Sequence, residues 1–144
     1  GSVAVCKKKD QIINRINLHI TNLEFIAFTL KAANMTSQIV VVVLYRPPSY
    51  SLKDFIPVLH EMLHAVHNVS QKCIVMGDFN EDILKHNTQI EKIMNMQGYK
   101  QCVTDATTEG GTLLDHIYVK NIDYVQIQII PTFYSYHEAV IIRF

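Results

Sequence analysis

Tryptophan is absent from this 144-residue chain, and cysteine, proline and glycine are scarce at three, four and five residues. So little glycine and proline excludes collagen-like and low-complexity architectures. The cysteines Cys6, Cys73 and Cys102 are odd in number and widely spaced, with no CxxC pair. That pattern argues against a disulfide framework or a cysteine zinc site and points to reduced thiols in an intracellular protein. The sequons Asn34-Met35-Thr36 and Asn68-Val69-Ser70 would matter only in a secreted protein. No apolar run approaches the ~18 residues a bilayer requires; the longest, Ile39 to Tyr45, has the length of a strand. Excess charge is missing too, with 13 Lys+Arg against 13 Asp+Glu. Bulk electrostatics therefore give no sign of a strong non-specific grip on nucleic acid, although a local patch could still hold phosphates.

What is present is a composition 49% hydrophobic, which suits one globular domain with a real core. Gly1-Ser2 reads as an expression scar, so residues 3–144 are expected to be a single domain excised from a longer protein.

Short strands are expected at Val3–Lys7, Asn17–Thr21, Leu23–Leu30 and Ile39–Tyr45, the last apolar on both faces like a buried central strand. Ala33-Asn34 supplies a turn, and Arg46-Pro47-Pro48-Ser49 ends the strand before it. A helix then follows with Asp54 as N-cap, which would put Pro57 in the first turn. Phe55, Leu59, Met62, Leu63 and Val66 recur at helical spacing as its buried stripe. Lys72–Met76 is the next buried strand. A second helix opens at Thr88, with Glu91 completing a capping box, and stops near Gly98; Ile90, Ile93 and Met94 form its inner face. Strands at Thr112–Val119, Val125–Ile130 and Glu138–Phe144 complete an α/β, or α+β, layered arrangement.

Three polar constellations interrupt these apolar elements. Gly77-Asp78-Phe79-Asn80 delivers a carboxylate and a carboxamide to one side of a strand tip, where open α/β sheets place ligands. Asp and Asn also cap turns after strands, so this motif is ambiguous alone. Asp115 sits inside the apolar run Leu113–Val119, where an unpaired carboxylate is costly and calls for a partner. His137, in Tyr134-Ser135-Tyr136-His137-Glu138-Ala139-Val140, is the obvious one; the pair would fix one imidazole tautomer.

In this order the three pieces resemble the endonuclease/exonuclease/phosphatase superfamily, whose pattern is G-D-[FL]-N, then L-D-x-[IF], then S-D-H-x-[AP]-[VI]. Here they read Gly77–Asn80, Leu114–Ile117 and Ser135–Val140, and Val43–Pro48 resembles the family's strand ending in Tyr-x-Pro. With Tyr45-Arg46-Pro47-Pro48 the likeness is to retrotransposon-type endonucleases. The resemblance implies a DNase-I-like β-sandwich with flanking helices, incomplete at the N-terminus. It implies a metal-dependent nuclease that uses Mg²⁺ or Mn²⁺ on nucleic acid, DNA ahead of RNA, for which a nuclear location is suitable and a membrane is not. Carried over, Asp78 would activate water, and Asn80 and Tyr45 would contact the scissile phosphate. His137, held by Asp115, would stabilise charge or move protons.

Two departures point to impaired activity. The family's early Asn-bearing and Glu-bearing strands have no counterpart in this chain, and Tyr136 stands where the pattern has Asp. The alternative is therefore a domesticated, non-catalytic binding module, a pseudoenzyme on the same fold. Incomplete sheets expose edges, so self-association is a further expectation.

A competing motif is His60-Glu61-Met62-Leu63-His64, which matches the H-E-x-x-H zinc helix, with His67 a turn further. All three histidines fall about 120° from the apolar stripe, which favours a flank and incidental metal binding over a catalytic cleft. Lys7-Lys8-Lys9 reads as a solvated run. Phe133, Tyr134 and Tyr136 read as rim packing, with base stacking the minority alternative.

Overall fold

A computed structural model describes residues 12–31, 35–86 and 88–144. The strands are β1 (Ile12–Ile16), β2 (Glu24–Lys31), β3 (Ile39–Tyr45), β4 (Cys73–Asp78), β5 (Lys100–Gln101), β6 (Asp115–Lys120), β7 (Gln126–Ile130) and β8 (Ala139–Arg143). The helices are α1 (Leu52–Val69) and α2 (Gln89–Met96). Six strands form one sheet in the order β1-β2-β3-β4-β6-β5, and β7 pairs with β8 separately. Only β3 and β4 run parallel, with α1 as their crossover; the remaining pairings are antiparallel.

Strand alternation sorts the core into two layers. Val40, Val42 and Leu44 of β3 face Phe55, Leu59, Met62, Leu63 and Val66 of α1. Ile39 and Val41 join Phe28, Ile74, Ile117 and Val119 on the other face, against Ile127, Ile129, Val140 and Ile142 of β7 and β8. The result is a mixed α/β sandwich with both helices on one outer face. Each large side chain fully buried in it contributes roughly 1.5–3 kcal/mol.

Several expected boundaries move. Asn17–Thr21 is not a strand: His19 and Asn22 have φ of 49° and 59°, and the Asn17 carboxamide accepts the His19 amide at 3.1 Å. Leu18 and Ile20 still pack partly into the helix-side core, which explains the deceptive alternation. The strand lies earlier, at β1, where Ile-Ile-Asn-Arg-Ile does not alternate. The expected strand at Thr112–Val119 begins only at Asp115. The expected Val3–Lys7 strand, Cys6, Lys7-Lys8-Lys9 and the turn at Ala33-Asn34 lie outside the described residues. Cys73 is a buried free thiol and Cys102 a half-buried one.

Ser51, not Asp54, caps α1. Its Oγ accepts the Asp54 amide at 3.2 Å while its hydroxyl donates to the Asp54 carboxylate at 2.6 Å. The helix therefore starts earlier than expected, and Pro57 lies beyond its first turn. Its missing N–H leaves the Lys53 carbonyl without a helical partner, tolerable because both residues are exposed. Ser51→Ala should lower the free energy of unfolding by about 1 kcal/mol, with an unchanged dependence on urea. Equilibrium urea titration tests this; an unaltered midpoint would show that the cap contributes nothing.

At α2 the Thr88 hydroxyl meets Glu91 at 3.2 Å, but it is Glu81 that caps the helix. Its two carboxylate oxygens accept the amides of Gln89 and Ile90 at 2.9 and 3.0 Å. A carboxylate there also suits the positive end of the helix dipole.

Candidate active site

Register brings three side chains to one level at the sheet's end. Tyr45 of β3 is opposite Asp78 of β4, and Asp78 is opposite Asp115 of β6. Alternation turns all three away from the helices. Gly77 lets β4 lie this close to β3. Its φ is 142°, and a Cβ there would stand 1.8 Å from the Leu44 carbonyl oxygen.

Beyond Asp78 the chain turns sharply through Asn80, at φ 48°. The Asn80 backbone and side-chain amides donate to the two Asp78 oxygens at 2.9 and 3.1 Å. The same side chain donates to the Arg46 carbonyl at 2.8 Å. Arg46, only 6% exposed, braces the turn from below. Its guanidinium donates to the carbonyls of Phe79, Asn80 and Tyr50 at 2.8, 3.1 and 2.6 Å. Burial lowers its pKa against the opposing charges of Glu81 and Asp78. In the sequence Arg46 is marked only by its place before two prolines, a signal of a turn that does not reveal the buried guanidinium.

His137 arrives from the other sheet. Its Nδ1 lies 2.8 Å from Asp115 Oδ2, and its Nε2 lies 3.8 Å from Asp78 Oδ2. Burial pulls the His137 pKa down, but the hydrogen bond and charge of Asp115, with the charge of Asp78, outweigh it and the net shift is upward. Burial pushes the Asp78 carboxyl above its ordinary range, and the Asp115 charge adds to this. The Asn80 amides and His137 oppose the rise.

Thr107, fully buried, ties the dyad together and was not foreseen. Its Oγ1 accepts the amides of Leu114 and Asp115 at 3.2 and 3.1 Å, while its carbonyl accepts the amide of Glu138 at 2.8 Å. One residue thus fixes the backbone on both sides of the Asp115–His137 bond. Tyr45 is in register, yet its hydroxyl makes no hydrogen bond among the described residues.

Next to Asp115, His116 points to the opposite face and is fully buried. It stacks on Phe79 with ring centroids 4.7 Å apart. Its Nε2 donates to the Glu81 carbonyl at 2.7 Å, so Nδ1 accepts from the Tyr118 hydroxyl at 3.0 Å. Burial lowers its pKa to about 4, against the carbonyls of Glu81 and Leu113 and the charge of Asp82. Unfolded, it would bind a proton near pH 6.5. The stability this neutral ring supplies is therefore complete above that pH and lost as pH falls toward about 4. Urea unfolding between pH 7 and 4.5 should show a loss of about 2 kcal/mol from this group. The wild-type slope should exceed that of His116→Gln; equal slopes would rule His116 out.

The imidazoles of His60, His64 and His67 are exposed on α1 and line a pocket with Tyr99 and Lys120, at the opposite end of β6 from Asp115. Among the described residues no group of three or more His, Cys, Asp or Glu side chains could hold a metal ion. That holds for the dyad as well, where Asp78 is engaged by Asn80 and Asp115 by His137. The described residues therefore do not by themselves fit the divalent cation that the resemblance implies. No described helix is long and apolar enough to cross a membrane.

The strand order and the two sheets are those of the DNase-I-like fold, which this chain shares with two solved structures. The endonuclease domain of TRAS1, a telomere-specific non-LTR retrotransposon, matches with a TM-score of 0.76 at 14% identity, over 92% of this chain and 66% of its own. The human Nocturnin catalytic domain, solved with bound sulfate, matches with a TM-score of 0.63 at 19% identity, over 89% of this chain and 58% of its own. The chain thus spans less than two thirds of either structure. No protein-family model matches the sequence, and no curated protein matches it.

Proposed function

We propose that this chain is a phosphodiesterase-type nuclease domain, hydrolysing phosphodiester bonds of nucleic acid, DNA in preference to RNA. The observation that supports it best is His137, held by Asp115 through Nδ1 with Nε2 turned toward Asp78. Asp78, its basicity raised by burial, takes a proton from water as the water oxygen attacks phosphorus. The bond to the leaving oxygen breaks, and His137 as imidazolium neutralises the growing charge and gives its Nε2 proton to that oxygen. Asn80 orients Asp78. Both of its amide hydrogens are spent within the protein, so a phosphate contact would displace one of these bonds.

A second reading, a binding module without turnover, is supported by Tyr136 in the place of an Asp and by the missing three-ligand group among the described residues. Hydrolysis of bis(4-nitrophenyl) phosphate and of DNA and RNA oligonucleotides, with Mg²⁺, Mn²⁺ or chelator, separates the two. Turnover that falls at least a hundredfold in Asp78→Asn is expected. Oligonucleotide binding with no turnover under any condition would instead favour the binding module.

A further inference from the structure

His137 lies seven residues after β7 ends and two before β8 begins, and the same loop carries three aromatic rings that the mechanism does not use. Phe133 is 98% exposed and Tyr134 is 91% exposed. Isolated exposed apolar residues are ordinary, but neighbouring rings left wholly in water on a loop that enters a site form a patch with a cost.

The loop is also built. The Thr132 amide donates to the Glu138 carboxylate at 2.6 Å, and the Thr132 hydroxyl donates to the His137 carbonyl at 2.7 Å. The His137 amide donates to Ser135 Oγ at 3.1 Å. Tyr136, 53% exposed, stands edge-on to the His137 ring at 5.9 Å between centroids. Its backbone carbonyl accepts the Glu109 amide at 3.0 Å. Its hydroxyl occupies space that only a glycine leaves free, since a Cβ on Gly110 would lie 2.1 Å from it. The loop backbone and the Tyr136 ring are thus fixed before any ligand arrives, which lowers the entropic cost of binding there.

We infer that Phe133, Tyr134 and Tyr136 form a stacking platform for unpaired bases of a single-stranded nucleic acid whose phosphate lies at His137; this rests on the hydrolase reading above. Apart from His137 the loop from Pro131 to Glu138 has no basic side chain, and the carboxylates of Asp78, Asp115 and Glu138 lie at its base. The grip therefore comes from uncharged ring faces on bases, not from cations on phosphates. A duplex keeps its bases stacked inward and offers the platform nothing.

Phe133→Ala/Tyr134→Ala removes the two rings furthest in solvent, so the fold should be unaffected by circular dichroism. Anisotropy should show a single-stranded DNA oligonucleotide binding the double variant about 30-fold more weakly than wild type. An abasic oligonucleotide of equal length should bind both forms alike, and 2-aminopurine fluorescence should be quenched by wild type alone. Bis(4-nitrophenyl) phosphate, too small to reach the platform, should be turned over equally by both. Equal oligonucleotide affinity alongside that turnover would sink the platform and leave the hydrolase reading standing. Absence of both turnover and oligonucleotide binding in wild type would overturn the two together. A wild-type dimer that the double variant cannot form would assign the patch to a second copy of this chain and overturn the platform.

Discussion

Gly77→Ala is expected to leave little or no folded protein. The methyl group would have to enter at 1.8 Å from the Leu44 carbonyl oxygen and 2.8 Å from its carbonyl carbon, both backbone atoms of the adjacent strand. No rotamer relieves such a clash, because Cβ has none. The φ of 142° adds strain, since it lies where L side chains rarely go. Relief would require parting β3 from β4, the parallel pair at the centre of the six-stranded sheet. Destabilisation above about 4 kcal/mol follows, comparable to the whole stability of a small domain. Circular dichroism and urea titration of the purified variant test it. A cooperative transition within about 1 kcal/mol of wild type would mean that the strands separate here far more readily than the register implies.

Asp115→Asn should have the largest effect on chemistry without harming the fold. The shapes match, so the sheet should persist, but the carboxamide carries no charge to hold the Nδ1 proton of His137. Proton transfer by an imidazole that is neither charged nor oriented should fall by about 10²–10⁴. A second readout needs no turnover. The upward shift of His137 arises from Asp115 and Asp78, so its NMR titration should move down in the variant. The sign for stability follows. A raised histidine pKa stabilises fully below the unfolded value and ceases to do so as pH rises through the folded value. The variant's deficit should therefore be greatest in mild acid and shrink above neutrality. An unaltered His137 titration would break the electrostatic link between the two residues.

The parts of this molecule legible in its sequence are those written locally. The α1 stripe was legible because five apolar residues at helical spacing end up buried together. β3 was legible because it is apolar throughout and is covered on both faces. Asp115 was conspicuous because a carboxylate in an apolar strand must find a partner, and the structure puts His137 there. Illegible parts depend on distant groups. Glu81 caps a helix eight residues on, Arg46 braces a turn 34 residues away, and Thr107 reaches across to Glu138. β1 has no alternation to read because most of its side chains face solvent.

Separation of the dyad between two sheets bears on how the molecule wears out. Asp78 and Asp115 belong to the six-stranded sheet, whereas His137 lies just before β8, whose inward side chains are only partly covered. Elements with fewer fully buried contacts open at lower free energy than the core. Heating should therefore lift the β7–β8 pair first, parting imidazole from carboxylate while far-ultraviolet ellipticity still reads as native. Thermal inactivation should run ahead of thermal melting, and a shelf-life judged by secondary structure would overstate how long the site remains assembled.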